Sequence, residues 1–523
     1  MKNIGLFLLF LGTVAPMAPA VEPITPFERQ SPPTSSTGQI DTLVFGKLNQ
    51  LGLQPAYPCS DAVFVRRVYL DVIGTLPTAE EASEFLSNTS PFKRGALIDQ
   101  LLERDEFADY WGMKWCDLLR VKAEFPVNLW PKASMVYDRW IRDAIRNNKP
   151  YSEFARELLT ASGSNFRDPP VNFCRSAGSH DPKALAKAVA LTFMGEHAQN
   201  WPPEKLNNLA EFFSRIAFKG TGEWKEEIVL FNGFDQSNWN GTTATLPDGS
   251  KVKIDADKDP RAVFADWLVS SQNSPFAANA VNRVWYWLMG RGIVEEPDDM
   301  RPDNPPSNPE LLAWLSKELV SSNYDMKHIY RLILNSNAYQ LSCIPATNDP
   351  RAEANFAFHP LRRMEAEVLI DAIDQITGGK EAYSSITPEP YTFIPDNTRA
   401  IDLPDGSINS AFLELFGRPA RDTGLLSERN DRPTAAQRLH LLNSDHIHNK
   451  IMQSAKLRSV LTSNPAPLQT AIQLYLTILS RYPTKDELEA LRDYSQTSEA
   501  KGAQVWYDLA WALMNSSEFL YRH

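Results

Sequence analysis

Helix start signals recur along almost the whole chain from Ile40 onward. Thr78 to Glu81 has the spacing of a capping box, in which the threonine hydroxyl and the glutamate carboxylate each bond a free backbone N–H. Elsewhere a capping residue stands before a proline that would occupy the first helical position. These pairs are Ser90-Pro91, Asp181-Pro182, Asp259-Pro260, Ser274-Pro275 and Asn308-Pro309. A chain with so many helix starts is predicted to be mainly α-helical.

An aromatic stripe indicates how one of these helices packs. Phe107, Trp111, Trp115 and Leu118 recur at helical spacing, which is typical of a buried core face and not of a cofactor site. The 523 residues are 43% hydrophobic and include 13 Trp, so the chain can bury large cores.

One stretch departs from the helical pattern. Within residues 219–257, residues 242–246 and 251–254 flank a Pro-Asp-Gly turn signal, and this arrangement predicts a β-hairpin. The predicted architecture is therefore two helical halves, residues 39–218 and 258–523, separated by a small β insertion.

The N-terminus has the features of a secretory signal. Lys2 and the α-amine give a positive start, residues 4–14 are apolar, and Ala18-Pro19-Ala20 fits a signal peptidase site. The apolar run is too short to span a bilayer, which takes about 20 residues. We therefore expect a signal peptide over residues 1–20 and a flexible Pro/Ser linker over residues 21–38. The protein is predicted to be exported, either to the periplasm or out of the cell.

Charge and hydropathy limit the classes of partner. A formal net charge of -11 at pH 7 argues against nucleic acid or an anionic membrane surface as the main partner. No later stretch is apolar enough to cross a membrane, so no membrane span is expected after signal cleavage.

The four cysteines, Cys59, Cys116, Cys174 and Cys343, are far apart and form no Cys-x-x-Cys pair. Zinc and c-type haem therefore have no recognisable ligands, and we predict no metal, no haem and no other cofactor. Two alternatives stay open for the thiols: two disulfides in an oxidising compartment, or four small buried side chains.

The two ends of the chain resemble each other. A Pro-Thr turn and a capped helix follow residues 68–73 and, at the same spacing, residues 474–479. Each copy is followed later by a helix that ends in a Glu-Phe pair, Glu106-Phe107 and Glu518-Phe519. We expect two related helical hairpins that pack together.

Several longer motifs resemble families of secreted planctomycete-type proteins. The N-terminal half is similar to domain of unknown function 1549 in Arg66-Arg67-Val68-Tyr69-Leu70-Asp71 and at residues 74–78 and 111–120. The C-terminal half is similar to its usual companion, domain of unknown function 1553, at residues 282–285, 290–294, 298–312, 339–342, 417–419, 439–443 and 479–484. The resemblance covers nearly the whole mature chain and implies no established activity.

The sequence departs from the family pattern in two places. Relatives often carry a Cys-x-x-Cys-His stretch where this chain has residues 195–201, and a cysteine-rich run where it has residues 422–427. A cytochrome c domain, frequent at the N-terminus of relatives, is also not expected here. We therefore predict no redox or metal role for this chain.

The connection 290–309 is the best candidate for a ligand site, because loops this long are usually functional or disordered and its five prolines disfavour disorder. Arginines on its rim could bind carboxylate or sulfate oxygens. The alternative, which we prefer, is an internal Arg–Asp network that fixes the loop. With two further charged pairs, the candidate ligand-binding residues are Asn282, Arg283, Arg291, Asp298, Asp299, Arg301, Asn304, Arg362, Arg363, Glu428 and Arg429.

Two other groups indicate chemistry less directly. Glu367, Asp371 and Asp374 lie on one face of a predicted helix. Paired carboxylates serve as acid and base in glycosidases, but consecutive acids on a helix are more typical of a solvated face. His446 and His448 follow a helix start signal, where side chains two residues apart diverge by about 200°, so metal binding is not predicted there.

The sequence favours an exported binding or assembly module for a cell-surface or extracellular polymer, with a glycan or an exported protein as partner. The alternative is a hydrolase or lyase acting on extracellular glycan, so the question of catalysis stays open. Convergence of residues 282–304 with 362–363 and 428–429 in a deep cleft would favour the enzyme, whereas dispersal over the surface would favour the binding module.

Overall fold

The described part of the chain is mainly α-helical, as the sequence predicts. The structure is a computed structural model that describes residues 26–29, 38–233, 243–255, 257–463, 466–497 and 502–523. The helices of the N-terminal half are α1 (Gln39–Leu51), α2 (Asp61–Val72), α3 (Ala79–Ser87), α4 (Lys93–Leu102), α5 (Asp105–Leu118), α6 (Pro131–Arg146), α7 (Tyr151–Thr160), α8 (Asn172–Arg175), α9 (Pro182–Val189) and α10 (Pro203–Glu211).

The C-terminal half is also mainly α-helical. Its helices are α11 (Pro260–Leu268), α12 (Ser274–Met289), α13 (Pro309–Ser321), α14 (Met326–Leu334), α15 (Arg351–Ala354), α16 (Ala366–Thr377), α17 (Ala411–Leu415), α18 (Ala435–Asn443), α19 (Asp445–Met452), α20 (Ala455–Ser463), α21 (Pro467–Leu479), α22 (Lys485–Ser495), α23 (Gln504–Met514) and α24 (Ser517–Leu520). The strands, all short, are β1 (Gly163–Ser164), β2 (Ile216–Gly220), β3 (Glu227–Phe231), β4 (Thr243–Thr245), β5 (Lys251–Lys253), β6 (Arg362–Arg363), β7 (Ser384–Ser385), β8 (Ile408–Asn409) and β9 (Tyr521–Arg522).

Side-chain caps begin many helices where the sequence places them. The Thr78 hydroxyl accepts from the Glu81 N–H at 3.1 Å, and the Glu81 carboxylate accepts from the Thr78 N–H at 2.8 Å, which confirms the capping box. Asp181, Asp259 and Asn308 cap α9, α11 and α13.

Two predicted starts are wrong in position. α4 begins only at Lys93, because the Ser90 hydroxyl accepts from the N–H of Phe92 within a preceding turn instead of capping the helix. α12 begins at Ser274 itself, one residue before the predicted proline start.

The β insertion contains the predicted hairpin and part of a second sheet. β4 and β5 pair antiparallel with Ala244 opposite Val252, which confirms the hairpin; residue 242 lies outside the described residues. β3 pairs with β2 on one side and with β1 on the other. Since β1 belongs to the N-terminal half, backbone hydrogen bonds attach the insertion to that half.

The two halves share one hydrophobic core. The predicted stripe on α5, from Phe107 to Leu118, is buried. The rings of Trp111 and Trp115 lie with centroids 5.4 and 5.9 Å from that of Trp287 on α12. Aromatic pairs at this distance contribute beyond the area that they bury, so α5 and α12 join the halves at the centre of the molecule.

The two similar ends pack together, as the sequence predicts. Ala79 and Ala82 of α3 and Leu476 of α21 form a small buried cluster. The guanidinium of Arg66 on α2 donates to the carbonyls of Ile478 at 2.8 Å and Phe519 at 2.9 Å. The N-terminal hairpin therefore caps backbone groups of the C-terminal one.

The resemblance extends to a repeated ion triad. Arg104 binds Glu81 of the first capping box at 2.8 Å and Glu106 at 2.6 Å. In the second copy, Arg481 binds Glu487 of the capping box at 2.7 Å and Glu518 at 2.6 Å. In both hairpins one arginine thus links the start of the second helix to the later Glu-Phe pair.

Residues 26–29, within the predicted linker, contact the folded part of the chain. The Phe27 ring packs edge-on against His523 with centroids 5.9 Å apart, and the Arg29 N–H donates to the Pro58 carbonyl at 2.9 Å. These residues are bound to the fold because Phe27 has a hydrophobic neighbourhood to enter. The predicted signal peptide and the rest of the linker lie outside the described residues.

The described residues include no helix that is long and apolar enough to cross a membrane. All four cysteines lie in the described part and are free thiols, three of them buried, so the buried-thiol alternative holds for Cys59, Cys116 and Cys174. Cys343 is half-buried.

The carbonyls capped by Arg66 give a first prediction. Arg66→Met should lower the free energy of unfolding by about 2–4 kcal/mol, because two buried carbonyls lose their donors. Urea unfolding measures the change. Arg492→Met, at a side chain 66% exposed, should change stability by less than about 0.5 kcal/mol. Equal effects of the two substitutions would contradict the role of Arg66.

Candidate functional site

The predicted site loop, residues 290–309, is fixed from inside the protein. Arg283 of α12 is 1% exposed, and its guanidinium binds Asp298 at 2.9 Å and the Leu191 carbonyl at 2.7 Å. The Asn282 side chain bonds the N–H and the carbonyl of Val294 at 2.9 and 3.0 Å. These contacts favour the internal network over the ligand-contact interpretation.

The outer part of the loop is more open. Asp299 binds Arg301 at 2.6 Å, and Asn304 donates to the Asp299 carbonyl at 2.8 Å. Arg291 is half-buried and forms no ion pair within the described residues. Gly290 has φ 75°, and a Cβ there would lie 2.5 Å from the side chain of Arg362, so the loop begins at a close approach that requires glycine.

Arg429 is the centre of a buried ion-pair network between the halves. It contacts Glu367 at 2.6 Å and Asp117 at 2.7 Å, and Asp117 also binds Arg421 at 2.9 Å. Glu367 is fully buried, so the predicted solvated face is wrong there: the arginines of residues 417–431 cover that side of α16. Burial alone would raise the pKa of Glu367, but Arg429 holds it below its usual range.

A second network surrounds Glu365. Its carboxylate binds Lys114 and Arg522, and Arg522 also binds Asp71 at 2.8 Å. Burial alone would raise the pKa of Glu365, but Arg522 and Lys114 hold it well below its usual range. Four charged groups from both halves therefore neutralise one another in the interior.

The other predicted charged residues bind backbone groups. Arg362 donates to the carbonyl of Trp287 at 2.8 Å, and Arg363 donates to that of Phe416 at 2.7 Å. The Glu428 carboxylate accepts from the N–H of Asp422 at 2.9 Å.

The predicted segments converge, but at a small cavity. Tyr286, Gly290, Arg362, Arg429 and Asp431 are among the groups that line a cavity of about 50 Å³. Such a volume has room for a few water molecules and not for a sugar ring. Burial, together with the charge of Glu365, raises the pKa of Asp431. The arrangement is neither a deep cleft nor a dispersed surface, and the ligand role of the predicted residues stays a prediction.

The loop 290–309 contacts both segments that lack the cysteines expected from the family resemblance, residues 195–201 and 422–427. The Leu426 N–H donates to Asp298 at 2.7 Å. The Gly195 carbonyl accepts from the N–H of Met300, on the same loop as Asp298, at 2.9 Å. In this chain the loop therefore connects the two segments through Asp298 and Met300.

His446 and His448 lie on α19 and diverge, as predicted. His446 bonds His440 at 3.2 Å and Glu381 at 2.9 Å, whereas His448 is exposed. Across the described residues, no group of three or more His, Cys, Asp or Glu could hold a metal ion.

Asp371 on α16 is also buried, which again contradicts a solvated face. Its oxygens accept from the N–H groups of Ala400 and Ile401 at 2.7 and 3.1 Å, because α16 packs against the 3-10 turn Ala400–Asp402. Burial raises the pKa of Asp371 to about 7, against the opposing effects of Arg399 and the two N–H groups.

Asp371 lines a polar cleft between the halves, with a volume of about 420 Å³. This volume lies in the range of small-molecule sites. Carboxylates outnumber cations on its walls. The carboxylates are Glu81, Glu106, Asp371, Asp374, Glu381 and Asp396, and the cations are Arg104, Lys380 and Arg399.

Three aromatic side chains from distant parts of the sequence meet at the surface. The ring centroids of Trp130 and Trp224 are 4.7 Å apart, and Tyr391 lies 5.4 Å from the first and 5.3 Å from the second, with the rings tilted by 61–66°. Trp224 is 59% exposed and Tyr391 48%. We call Trp130, Trp224 and Tyr391 the aromatic triad.

The backbone of Trp130 is strained. Its φ of 77° and ψ of 143° lie in a region that is populated almost only by glycine. Such a conformation costs on the order of 1–3 kcal/mol and persists only where the surroundings impose it. Here the N–H groups of Leu129 and Trp130 donate to the carbonyls of Lys122 and Ala123 at 3.1 and 3.2 Å. In this conformation the indole lies beside the other two rings.

One loop, residues 386–399, connects the triad to the cleft. Tyr391 belongs to the triad, Phe393 is 62% exposed, and residues 396–399 line the cleft. The Thr387 hydroxyl binds Glu124, which attaches this loop to the strained segment before Trp130. One loop therefore carries both a member of the triad and part of the wall of the cleft.

Nothing in the sequence predicts this surface. No spacing relates positions 130, 224 and 391, and each residue lies in a loop without a motif. The one local signal is the Trp224 turn, a large aromatic residue next to a charged one between two glycine-punctuated strands. The tertiary structure brings the three together.

Comparisons with known families agree with the division of the chain. Residues 39–215 match a family model described as protein of unknown function (DUF1549), and residues 260–495 match one described as protein of unknown function (DUF1553). The two matches follow each other along the chain, with residues 216–259 between them. Trp130 lies in the DUF1549 match, Tyr391 in the DUF1553 match, and Trp224 between the two. No curated protein and no solved structure matches the chain.

The network around Arg429 gives a second prediction. Arg429→Met should lower the free energy of unfolding by about 3–5 kcal/mol, because it leaves Glu367 and Asp117 buried with fewer partners. Chemical denaturation measures the change. Arg301→Met, which removes a half-exposed arginine from an ion pair, should leave the denaturation midpoint almost unchanged. A small effect at Arg429 would show that the network is dispensable.

Asp371 gives a prediction about pH. In the folded state the pKa of Asp371 is raised to about 7, whereas in the unfolded state it has the ordinary value of about 4. Between these two pH values the folded state keeps a proton that the unfolded state has released. The contribution of this carboxyl to the free energy of unfolding therefore falls as the pH rises from about 4 through 7. The stability advantage of the unmodified protein over Asp371→Asn should therefore shrink between pH 5 and pH 8. Urea unfolding at both values tests this, with exposed Asp303→Asn as control. A constant difference would contradict the raised pKa.

Proposed function

We propose that this protein is an exported binding module for a polysaccharide, and that the aromatic triad is its main contact. The observation that carries the proposal is the exposure of Trp224 and Tyr391 against the strained Trp130. Large rings exposed together are unfavourable in water unless a ligand covers them. Three separate segments, one of them strained, converge to present them.

The chemistry of the rings fits a sugar chain. Trp and Tyr combine an apolar face with a polar edge, and a sugar ring combines C–H faces with hydroxyl groups at its edge. Within the described residues, the side chains of Trp130, Trp224 and Tyr391 donate no hydrogen bond, so their N–H and O–H groups are available to a ligand.

The surrounding charges favour a glycan over nucleic acid. Aromatic side chains also stack on bases, but single-stranded nucleic acid needs a positive groove as well. Near the triad, Lys132 is paired with Glu223 at 2.8 Å, and Lys225 lies over the rings of Trp130 and Trp224. The chain as a whole has a net charge of -11.

Binding to purified polysaccharides and their oligosaccharides tests the proposal. Calorimetry should detect binding by the mature chain, and Trp224→Ala or Tyr391→Ala should weaken it by at least about tenfold, as expected for an aromatic anchor. Phe92→Ala is the matched control, because Phe92 is 80% exposed and outside the triad.

Three results would contradict the proposal or change it. Equal binding by Trp224→Ala and the unmodified chain would exclude the triad as the contact. If the triad bound a protein partner and no glycan, the ligand would be a protein and not a polysaccharide. New reducing ends in the glycan would favour the alternative, a hydrolase or lyase.

A further inference from the structure

We infer that the polar cleft is a second subsite for the same polysaccharide that the triad binds, and that it takes a stretch of glycan without acidic groups. This inference rests on the proposed function of the triad. It adds two properties: the ligand is long enough to reach from the triad into the cleft, and it carries no carboxylate or sulfate where it enters.

The loop that the triad and the cleft share supports the first property. Tyr391 and Asp396 are five residues apart on one loop, so their Cα atoms are at most about 18 Å apart. Phe393, 62% exposed, lies between them in sequence. A ligand that covers the triad and extends along this loop reaches the cleft, whose volume of about 420 Å³ is sufficient for a small ligand.

The lining of the cleft fits a ligand rich in hydroxyl groups. Beside its charged groups, the cleft is lined by the hydroxyls of Thr75, Thr78 and Thr398 and the amides of Gln375 and Asn397, while Leu76 is an apolar exception. A wall that alternates donors and acceptors can bond hydroxyl groups in both directions.

The charges of the cleft support the second property. Six carboxylates and three cations line the cleft. Arg104 is bound by Glu81 and Glu106, and Lys450, from outside the lining, binds Asp374 and Glu381, so the carboxylates still outnumber the cations by two. Asp396 is exposed and has no ion pair within the described residues. An acidic sugar entering here would meet like charges, which disfavour binding. The crowding agrees with the raised pKa of Asp374, to which burial and then Glu381 contribute.

The test varies the length and the charge of the glycan in turn. For a neutral glycan that binds the triad, the hexasaccharide should bind at least about tenfold more tightly than the disaccharide, as expected when a second subsite is linked to the first. Asn397→Trp, which fills the cleft from an exposed position, should remove this gain and leave disaccharide binding unchanged. Asp396→Trp should do the same, and Asn200→Trp, at an exposed residue outside the cleft, should do neither. Thermal melting confirms that each variant is folded.

The results separate the two proposals. Disaccharide binding that depends on Trp224 but shows no gain with length, or a gain that survives both cleft substitutions, would overturn the second subsite and leave the triad intact. A uronic or sulfated hexasaccharide that binds as tightly as the neutral one would overturn the charge preference. Loss of all binding, or binding independent of Trp224, would instead refute the function proposed for the triad.

Discussion

The architecture depends on the buried ion pairs that Arg429 makes with Asp117 and Glu367. Asp117 belongs to α5 of the N-terminal half and Glu367 to α16 of the C-terminal half, so one guanidinium contacts both halves at once. Charges taken out of water are costly unless they are paired and bonded. The network therefore links α5, α16 and the arginine-rich segment 417–431, and both helices also carry residues that line the cleft.

The need to pair buried charges and buried backbone groups explains what the predicted charged residues do. Arg283, Asp298, Arg362 and Glu428 all find partners within the protein, many of them backbone carbonyls or N–H groups of loops. In long connections such as residues 290–309, many backbone N–H and C=O groups have no partner in a helix or a sheet. Where these groups are buried, they need another hydrogen-bond partner. Arginine, with five donors, supplies several at once. The terminal hairpins use the same device in their two Glu–Arg–Glu triads.

The candidate binding surface has the opposite character. The triad is exposed, its backbone is strained at Trp130, and its members come from the DUF1549 match, the segment between the matches and the DUF1553 match. Strain of this kind persists only where a rigid structure imposes it. The paired interior fixes the loops, and the loops present the rings to solvent.

The sequence by itself determined what depends on neighbours along the chain. Caps such as Thr78, the buried stripe on α5, the hairpin of β4 and β5 and the kinship of the two ends are local patterns, set by helix periodicity and turn chemistry. The tertiary structure alone decided the burial of Glu367 and Asp371, because a carboxylate looks the same in sequence whether arginine or water lies opposite. It also decided the triad, since contacts between positions 130, 224 and 391 depend on how the halves and the insertion pack, and no periodicity along the chain encodes that packing.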